Sequence, residues 1–258
     1  MIRGLRVAAV CVVSCGVLVA GLLAGSTAGS RVVFHHPRVP APRPPTRAAG
    51  WASSNWSGYA VTGSGYNSVT EAWTVTAAAR SRKATYSSEW VGIDGYNNNS
   101  LIQTGTESDY YSGSAHYSAW WEILPAAETV IPSITVRPGD AMTASITHGS
   151  GSAWTITITN KSTGASFTTS KSYTGPQTSA EWIEEAPTVG GRVGTLANYG
   201  LATFDPGTVN GQNPLLNPNE GGVMVQKGVQ VSTPSNPDID TDGFNAKYGS
   251  TAPAPPSS

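Results

Sequence analysis

Short strand-like runs set the strongest limit on how this chain can fold. From about residue 51 to residue 249, runs rich in Thr, Val, Ile, Tyr and Trp alternate with clusters of Gly, Asn, Ser, Asp and Pro. No stretch repeats apolar residues at the 3.6-residue period of an amphipathic helix. Many short strands with frequent turn signals are typical of antiparallel sandwiches and barrels. The sequence therefore predicts an all-β domain, an antiparallel β-sandwich, over residues 51–249.

The first residues have the pattern of a secretory leader. Arg3 and Arg6 precede a long apolar run that ends in small residues. This order predicts a signal peptide over residues 1–29 and a secreted, extracellular protein with no membrane contact after cleavage. An uncleaved membrane anchor is the alternative, because the apolar run approaches spanning length. Both cysteines, Cys11 and Cys15, lie in the leader, so the mature protein has no thiol nucleophile, thiolate metal site or disulfide.

The two ends of the predicted domain have the composition of segments that form no core. Residues 30–50 are rich in Pro and Arg, which predicts an extended linker or a short pro-segment. As a pro-segment, this basic arm could shield a carboxylate cleft, whereas an inert tether is the plainer interpretation. Residues 250–258 are predicted to be a disordered tail.

The charges are distributed unevenly. Residues 1–50 contain six arginines and no acid, which leaves nine basic and 16 acidic residues in 51–258, a formal net charge of −7. Such a surface argues against nucleic acid as a partner. Because only 12% of the residues are charged, few ion pairs can be lost on acidification, and we expect the fold to tolerate acid.

Common catalytic and metal-binding patterns have little support. No Gly-x-Ser-x-Gly elbow surrounds a serine, and His116 and His148 are a poor zinc set that we interpret as surface residues. The segment DIDTDG at residues 238–243 begins like a calcium loop, but its twelfth position is Gly249 instead of glutamate. We interpret it as a solvated turn. Carboxylates, amides and tryptophans remain as candidates for function.

The segment TSAEWIEEAP at residues 178–187 places three glutamates in an otherwise weakly charged domain. As a strand, it would carry Glu181, Ile183 and Glu185 on one face. Trp182 and Glu184 would lie on the other, and we predict that Glu184 is solvated. Carboxylates on both faces indicate either a solvated edge strand or a strand that contributes an acid to a cleft.

Three other segments can place polar groups beside aromatic or small residues on one strand face. The sets that share a face are Trp90, Gly92 and Asp94; Ser118, Trp120 and Glu122; and Leu101, Gln103 and Gly105. Facing Glu181, these strands would form a tryptophan-walled groove. The alternative is that the tryptophans belong to the core.

Six stretches, taken in order, resemble the glutamic peptidases, also called the eqolisin family. They are NWSGYA (55–60), WVGIDG (90–95), LIQTGT (101–106), YSAWWEILPA (117–126), VRPGD (136–140) and AEWIEEAP (180–187). The resemblance implies a concanavalin/lectin-like jelly-roll sandwich and a secreted acid endopeptidase. Polypeptides would be its substrates, it would need no metal or cofactor, and we expect a monomer.

The resemblance also implies a catalytic dyad of Gln103 and Glu181. In the implied mechanism, ionised Glu181 takes a proton from a water molecule, and the amide of Gln103 donates to the developing oxyanion. Glu185 shares the predicted strand face of Glu181 and is the alternative base. Four further residues would support the dyad in the groove: Trp90, Asp94, Trp120 and Glu122.

The chain departs from the family at Ser118, where the family often has aspartate, and in having no cysteine after the predicted leader, unlike the disulfide-bearing fungal members. Two other functions stay open at this point. One is a non-catalytic carbohydrate-binding module, and the other is a glycosidase that uses a carboxylate pair such as Glu122 and Glu181. Gln103 discriminates between a peptidase and a glycosidase. A peptidase needs its amide to stabilise the oxyanion, whereas the glycosidase scheme gives that amide no essential role.

Overall fold

The computed structural model describes Met1, residues 32–42 and residues 50–257. The predicted signal peptide, apart from Met1, lies outside the described residues. Within the described part, no helix has the length and apolar character needed to cross a membrane. One compact unit begins at Val32, so it includes residues that the sequence assigned to a linker.

The described residues form an almost purely β structure with one short 3-10 helix at Pro218–Glu220. The strands are β1 (Val33–Phe34), β2 (Trp51–Ser53), β3 (Trp56–Thr62), β4 (Ser68–Thr74), β5 (Ser88–Ile93), β6 (Ile102–Tyr111), β7 (Ser114–Ile123), β8 (Thr129–Val130), β9 (Ala141–His148), β10 (Ala153–Asn160), β11 (Ala165–Ser172), β12 (Ser179–Glu185), β13 (Thr188–Val189), β14 (Arg192–Val193), β15 (Leu201–Phe204), β16 (Thr208–Val209), β17 (Gly221–Gln226), β18 (Val229–Pro234) and β19 (Phe244–Tyr248).

The main sheet is long and folds back on itself. Its strand order is β11-β10-β9-β4-β15-β19-β18-β17-β3-β12-β5-β6-β7-β8, and adjacent strands in this order pair antiparallel. Strands β4, β9 and β10 of the back layer face β5, β6 and β12 of the front layer. Strand β16 extends the sheet beside β4, and β2 pairs parallel with β17. This architecture confirms the predicted antiparallel β-sandwich.

The core between the layers follows the two-residue period of the strands. In β10, Trp154, Ile156 and Ile158 are buried while the threonines between them are partly exposed. Front-layer residues such as Val91 and Trp182 belong to the same apolar cluster. Strands β10 and β11 form a hairpin with a tight loop between Asn160 and Ala165.

The front layer differs from the back layer because its central strands are buried on both faces. Every residue of β5 and of β12 is buried. The outer face of this layer carries a second apolar cluster of Trp51, Trp56, Ala60, Trp90, Leu101, Trp120 and Ile183. Strand β12 lies between β3 and β5, so the interpretation of TSAEWIEEAP as a solvated edge is wrong.

Candidate active site

A single row of residues crosses the outer face of the front layer. Glu122 pairs with Gln103, Gln103 with Gly92, and Gly92 with Glu181. Directly paired residues project to the same face of a sheet, so these side chains emerge on one side. Two strand spacings separate the Cα atoms of Gln103 and Glu181, about 10 Å. Gly92 lies between them without a side chain, and a Cβ there would come within 2.8 Å of the Trp90 ring.

Gln103 is held in one orientation by its neighbours. Its Nε2 donates to Oε2 of Glu122 at 2.7 Å and to the backbone carbonyl oxygen of His35 at 3.3 Å. The side chain is fully buried. Since a side-chain amide has two N–H donors, one contacts the carboxylate and the other contacts a peptide carbonyl.

Glu181 is fully buried, yet neither of its carboxylate oxygens accepts a hydrogen bond from a described residue. Burial raises the pKa of this carboxyl well above its ordinary value; the neighbouring Ser179 hydroxyl lowers it in part, and the charge of Asp94 raises it. Buried polar atoms are rarely left without a partner. Glu184 on the inner face shares this property, so it is the position of Glu181 on the face of Gln103 that suits it to hold a water molecule.

Two tryptophans and Glu185 complete the outer face around this row. Trp90 donates from Nε1 to Oε2 of Glu185 at 2.8 Å, and Trp120 donates from Nε1 to the Ser88 hydroxyl at 3.1 Å. Both rings are fully buried. Six of the seven predicted site residues therefore share this face: Gln103, Glu181, Trp90, Trp120, Glu122 and Glu185.

Asp94 is the exception. Strand β5 ends at Ile93, and Asp94 has φ +72°, so strand parity no longer directs its side chain. Its carboxylate accepts hydrogen bonds from the Tyr173 hydroxyl at 2.6 Å and from the backbone N–H groups of Gln177 and Thr178 at 2.9 Å. Asp94 thus anchors the segment that leads into β12, and its charge lies near enough to Glu181 to raise the pKa of that carboxyl.

The prediction that Glu184 is solvated is also wrong. Glu184 is fully buried on the inner face of β12, directly opposite Glu89 of β5. Both faces of a central strand are covered in this sandwich, which the local sequence pattern cannot reveal. Burial raises the pKa of Glu184 well above its ordinary value, and burial raises that of Glu89 to about 7.

Two groups in the described part bring possible metal ligands within 4.8 Å of one another: His35, Glu107 and Glu128, and Asp205, Asp238 and Asp242. The second group includes the predicted solvated turn. Asp238 is only 6% exposed, and its Oδ1 accepts from the N–H groups of Asp242 and Gly243 at 3.2 Å. The Asp238 carboxylate stabilises the turn through these bonds, because short acidic side chains bond readily to nearby backbone N–H groups.

Residues 32–42, which we call the strap, lie across the outer face of the front layer. Strand β1 of the strap pairs with β13. Further along, the N–H of Arg38 donates to the carbonyl of Gly95 at 3.0 Å, and the N–H of Ser54 donates to the carbonyl of Val39 at 2.8 Å. These backbone bonds fix a segment whose Pro-rich composition gave no indication of packing.

His35 of the strap is the site residue that sequence reasoning missed. Its N–H donates to Oε2 of Glu122 at 3.1 Å, and its ring stacks on Trp120 with the centroids 3.7 Å apart. It is fully buried. The only signal for it is the position of a histidine in a basic segment that precedes an acidic domain.

Comparisons with known proteins agree with this fold. A sequence profile described as the Peptidase A4 family matches residues 54–243. Aspergillopepsin-2 of Aspergillus niger is 31% identical over 198 residues, which are 67% of this chain and 70% of that protein.

Solved structures give the same answer for the fold. Scytalido-glutamic peptidase with a transition state analog inhibitor is 24% identical, with a TM-score of 0.66 over 76% of this chain and 98% of the other. Aspergilloglutamic peptidase from Aspergillus niger is 28% identical, with a TM-score of 0.53 over 64% of this chain and 99% of the other. The chain therefore belongs to the Peptidase A4 family and is a glutamic endopeptidase.

Proposed function

We propose that the protein is a secreted, monomeric, acid-acting endopeptidase that cleaves unfolded polypeptides with Gln103 and Glu181 as its dyad. One observation carries this proposal. The Gln103 amide gives one N–H to Glu122 and directs the other to a peptide carbonyl, that of His35, at 3.3 Å. A peptide carbonyl in contact with a fixed donor has the arrangement required for oxyanion stabilisation.

The remaining groups complete a hydrolytic mechanism. Glu181 has two buried oxygens without protein partners, so it can hold a water molecule and take its proton as the water attacks the carbonyl carbon. Negative charge develops on the carbonyl oxygen, where the Gln103 amide donates to it. Protonated Glu181 then gives its proton to the leaving amine. Glu122 keeps the Gln103 amide in the donating orientation throughout.

The raised pKa of Glu181 predicts the shape of the pH profile. A general base must be ionised, and an ordinary glutamate ionises near ~4.3. Burial raises the pKa of Glu181 above that value. Activity should therefore still increase with pH above about 4.3, because the ionised fraction of Glu181 increases there.

The competing functions fit the geometry less well. For a glycosidase, Glu122 and Glu181 would act together, but two strands separate β7 from β12, and Glu122 already bonds to Gln103. A carbohydrate-binding module gives no role to a buried acid without partners, and membership of a peptidase family argues against it.

A single expression experiment tests these points. The full chain, leader included, is produced in a secreting host, and the culture medium is assayed with acid-denatured casein from pH 2 to 7. We expect endoproteolytic cleavage that an aspartic-protease inhibitor does not block, with a monomeric protein on size exclusion. Because residues 32–42 cover Gln103 and Glu122, the assay also includes full-chain His35→Ala, which loosens this cover. Folded wild type and folded His35→Ala that both cleave nothing at any pH would contradict the proposed function, and protein retained with the cells would contradict secretion.

We also propose that the strap inhibits the enzyme by occupying the site. The His35 carbonyl contacts the Gln103 amide, and the His35 N–H contacts Glu122, so a substrate backbone cannot reach these groups while the strap is in place. This assigns residues 32–42 to a pro-segment and not to an inert tether.

The strap prediction has a matched control in the neighbouring histidine. Full-chain His35→Ala should hydrolyse casein with an initial rate at least about tenfold above wild type, because the buried anchor of the strap is lost. His36→Ala removes a side chain that is not fully buried and should behave like wild type. Equal initial rates for wild type and His35→Ala would contradict inhibition by the strap.

A further inference from the structure

The His35 side chain occupies a pocket whose chemistry is specific. The ring stacks on Trp120 at an interplanar angle of 5°. Nδ1 lies 3.0 Å from Oε2 of Glu185, and Nε2 lies 3.0 Å from Oε1 of Glu107 and 3.2 Å from Oε2 of Glu128. The imidazole is fully buried, so this flat pocket with acids at its rim encloses it completely.

Both ring nitrogens face carboxylates, so the bound ring satisfies its partners only as a doubly protonated imidazolium. Burial alone would lower the pKa of His35, but the charge of Glu185 and the contacts with Glu107 and Glu128 raise it well above its ordinary value. An apolar side chain in the same place would leave buried acids without a counter-charge, which is strongly unfavourable. The pocket is therefore suited to a flat cation.

The backbone of His35 links this pocket to the proposed chemistry. The residue whose side chain fills the pocket is the one whose carbonyl oxygen accepts from the Gln103 amide. In the proposed mechanism, that carbonyl is the one that water attacks. The pocket therefore receives the residue on the acyl side of the bond that is cleaved.

We propose that this pocket makes the enzyme selective for peptides with histidine or arginine on the acyl side of the cleaved bond. The inference rests on the proposed function of Gln103 and Glu181. The preferred side chain is cationic and planar, because Trp120 supplies a stacking face and Glu107, Glu128 and Glu185 supply negative charges. Lysine has the charge without the flat group and should be cleaved less well than arginine.

The test is a series of peptides that differ only at the acyl-side residue, with His, Arg, Lys, Leu, Phe or Glu at that position. The full-length protein is assayed at its optimum pH, and mass spectrometry locates each cleavage. We expect kcat/KM for the His and Arg peptides to exceed that for the Leu peptide by about tenfold or more. The Glu peptide should be the poorest substrate, since it would add a fourth carboxylate to the pocket.

Two variants separate a selective pocket from a general effect on catalysis. Glu107→Gln and Glu128→Gln should each lower the ratio of His to Leu cleavage, whereas Asp240→Asn, at an exposed position, should leave that ratio unchanged. Cleavage of all six peptides at similar rates, or a preference located at another position, would overturn the pocket inference and leave the proposed function intact. Cleavage of none of them by folded wild type or by folded His35→Ala, in which the anchor of the strap is removed, would overturn the proposed function, and the inference with it.

Discussion

Glu181→Gln should lower kcat/KM for an unfolded protein substrate by about 10³-fold or more, since an amide cannot take a proton from water. Gln103→Ala should lower it by about 10²- to 10³-fold, the usual loss when one oxyanion donor is removed. Initial rates at the optimum pH measure both effects. The double variant should be little worse than Glu181→Gln, because residues that act as a unit give non-additive losses.

Two neighbouring glutamates of β12 are the controls for this prediction. Glu184→Gln makes the same chemical change on the inner face of the same strand, so hydrolysis should remain close to the wild-type rate. Glu185→Gln tests the alternative base and should retain most activity toward a peptide with leucine on the acyl side. An inactive Glu185→Gln combined with an active Glu181→Gln would assign the base to Glu185. Circular dichroism of each variant checks that the fold persists.

The second large effect concerns stability, which should be highest in acid and should fall as the pH rises toward neutrality. Glu89 and Glu184 lie opposite each other in the core, and burial raises the pKa of both, that of Glu89 to about 7. A carboxyl whose folded pKa is raised binds its proton more tightly in the folded state. The stability that such a carboxyl contributes is fully present below its pKa in the unfolded state. It is lost as the pH rises through its pKa in the folded state.

The size of this decrease in the free energy of unfolding follows from the difference between the folded and unfolded pKa values. Each unit of pKa difference corresponds to about 1.4 kcal/mol, so Glu89 alone should lower the free energy of unfolding by about 3 kcal/mol between pH 4.5 and pH 7. Glu184 acts in the same direction. This raised pKa gives a second reason, besides the low charged fraction, for the expected tolerance of acid.

Urea denaturation at pH 4, 5.5 and 7 measures this dependence. In Glu89→Gln, the decrease in the free energy of unfolding between pH 4.5 and pH 7 should be smaller by about 3 kcal/mol, since a neutral amide has no proton to lose. Lys83→Gln, at an exposed position, should leave the pH dependence of the free energy of unfolding unchanged. A free energy of unfolding that stays constant or increases from pH 4.5 to pH 7 would contradict buried, protonated glutamates.

Strand parity predicted much of the site geometry. In β12 it separated Glu181 and Glu185 from Trp182, and in β7 it placed Trp120 and Glu122 together, away from the core residue Ala119. These predictions hold because a strand alternates its side chains between two faces whatever surrounds it. Parity gives no direction for Asp94, where the strand has ended and the backbone turns to φ +72°.

It was harder to predict which side chains are buried than to predict which face of a strand each side chain lies on. Glu184 was expected in solvent because carboxylates usually seek water, but β12 is a central strand with apolar clusters on both sides. The position of His35 could not be predicted either. Its contacts with Gln103, Glu122 and Glu185 span 68, 87 and 150 residues of sequence. No local pattern encodes such distances.

By itself, the sequence determined the class of fold, the face of each strand and the order of the family's motifs, because these depend on local backbone period and residue type. Only the tertiary structure decided which faces are covered, which acids share a pocket and where the strap lies. Those outcomes depend on how one long sheet folds over itself. That folding brings together residues that the chain separates, and it fixes the water exposure and pKa of each acid.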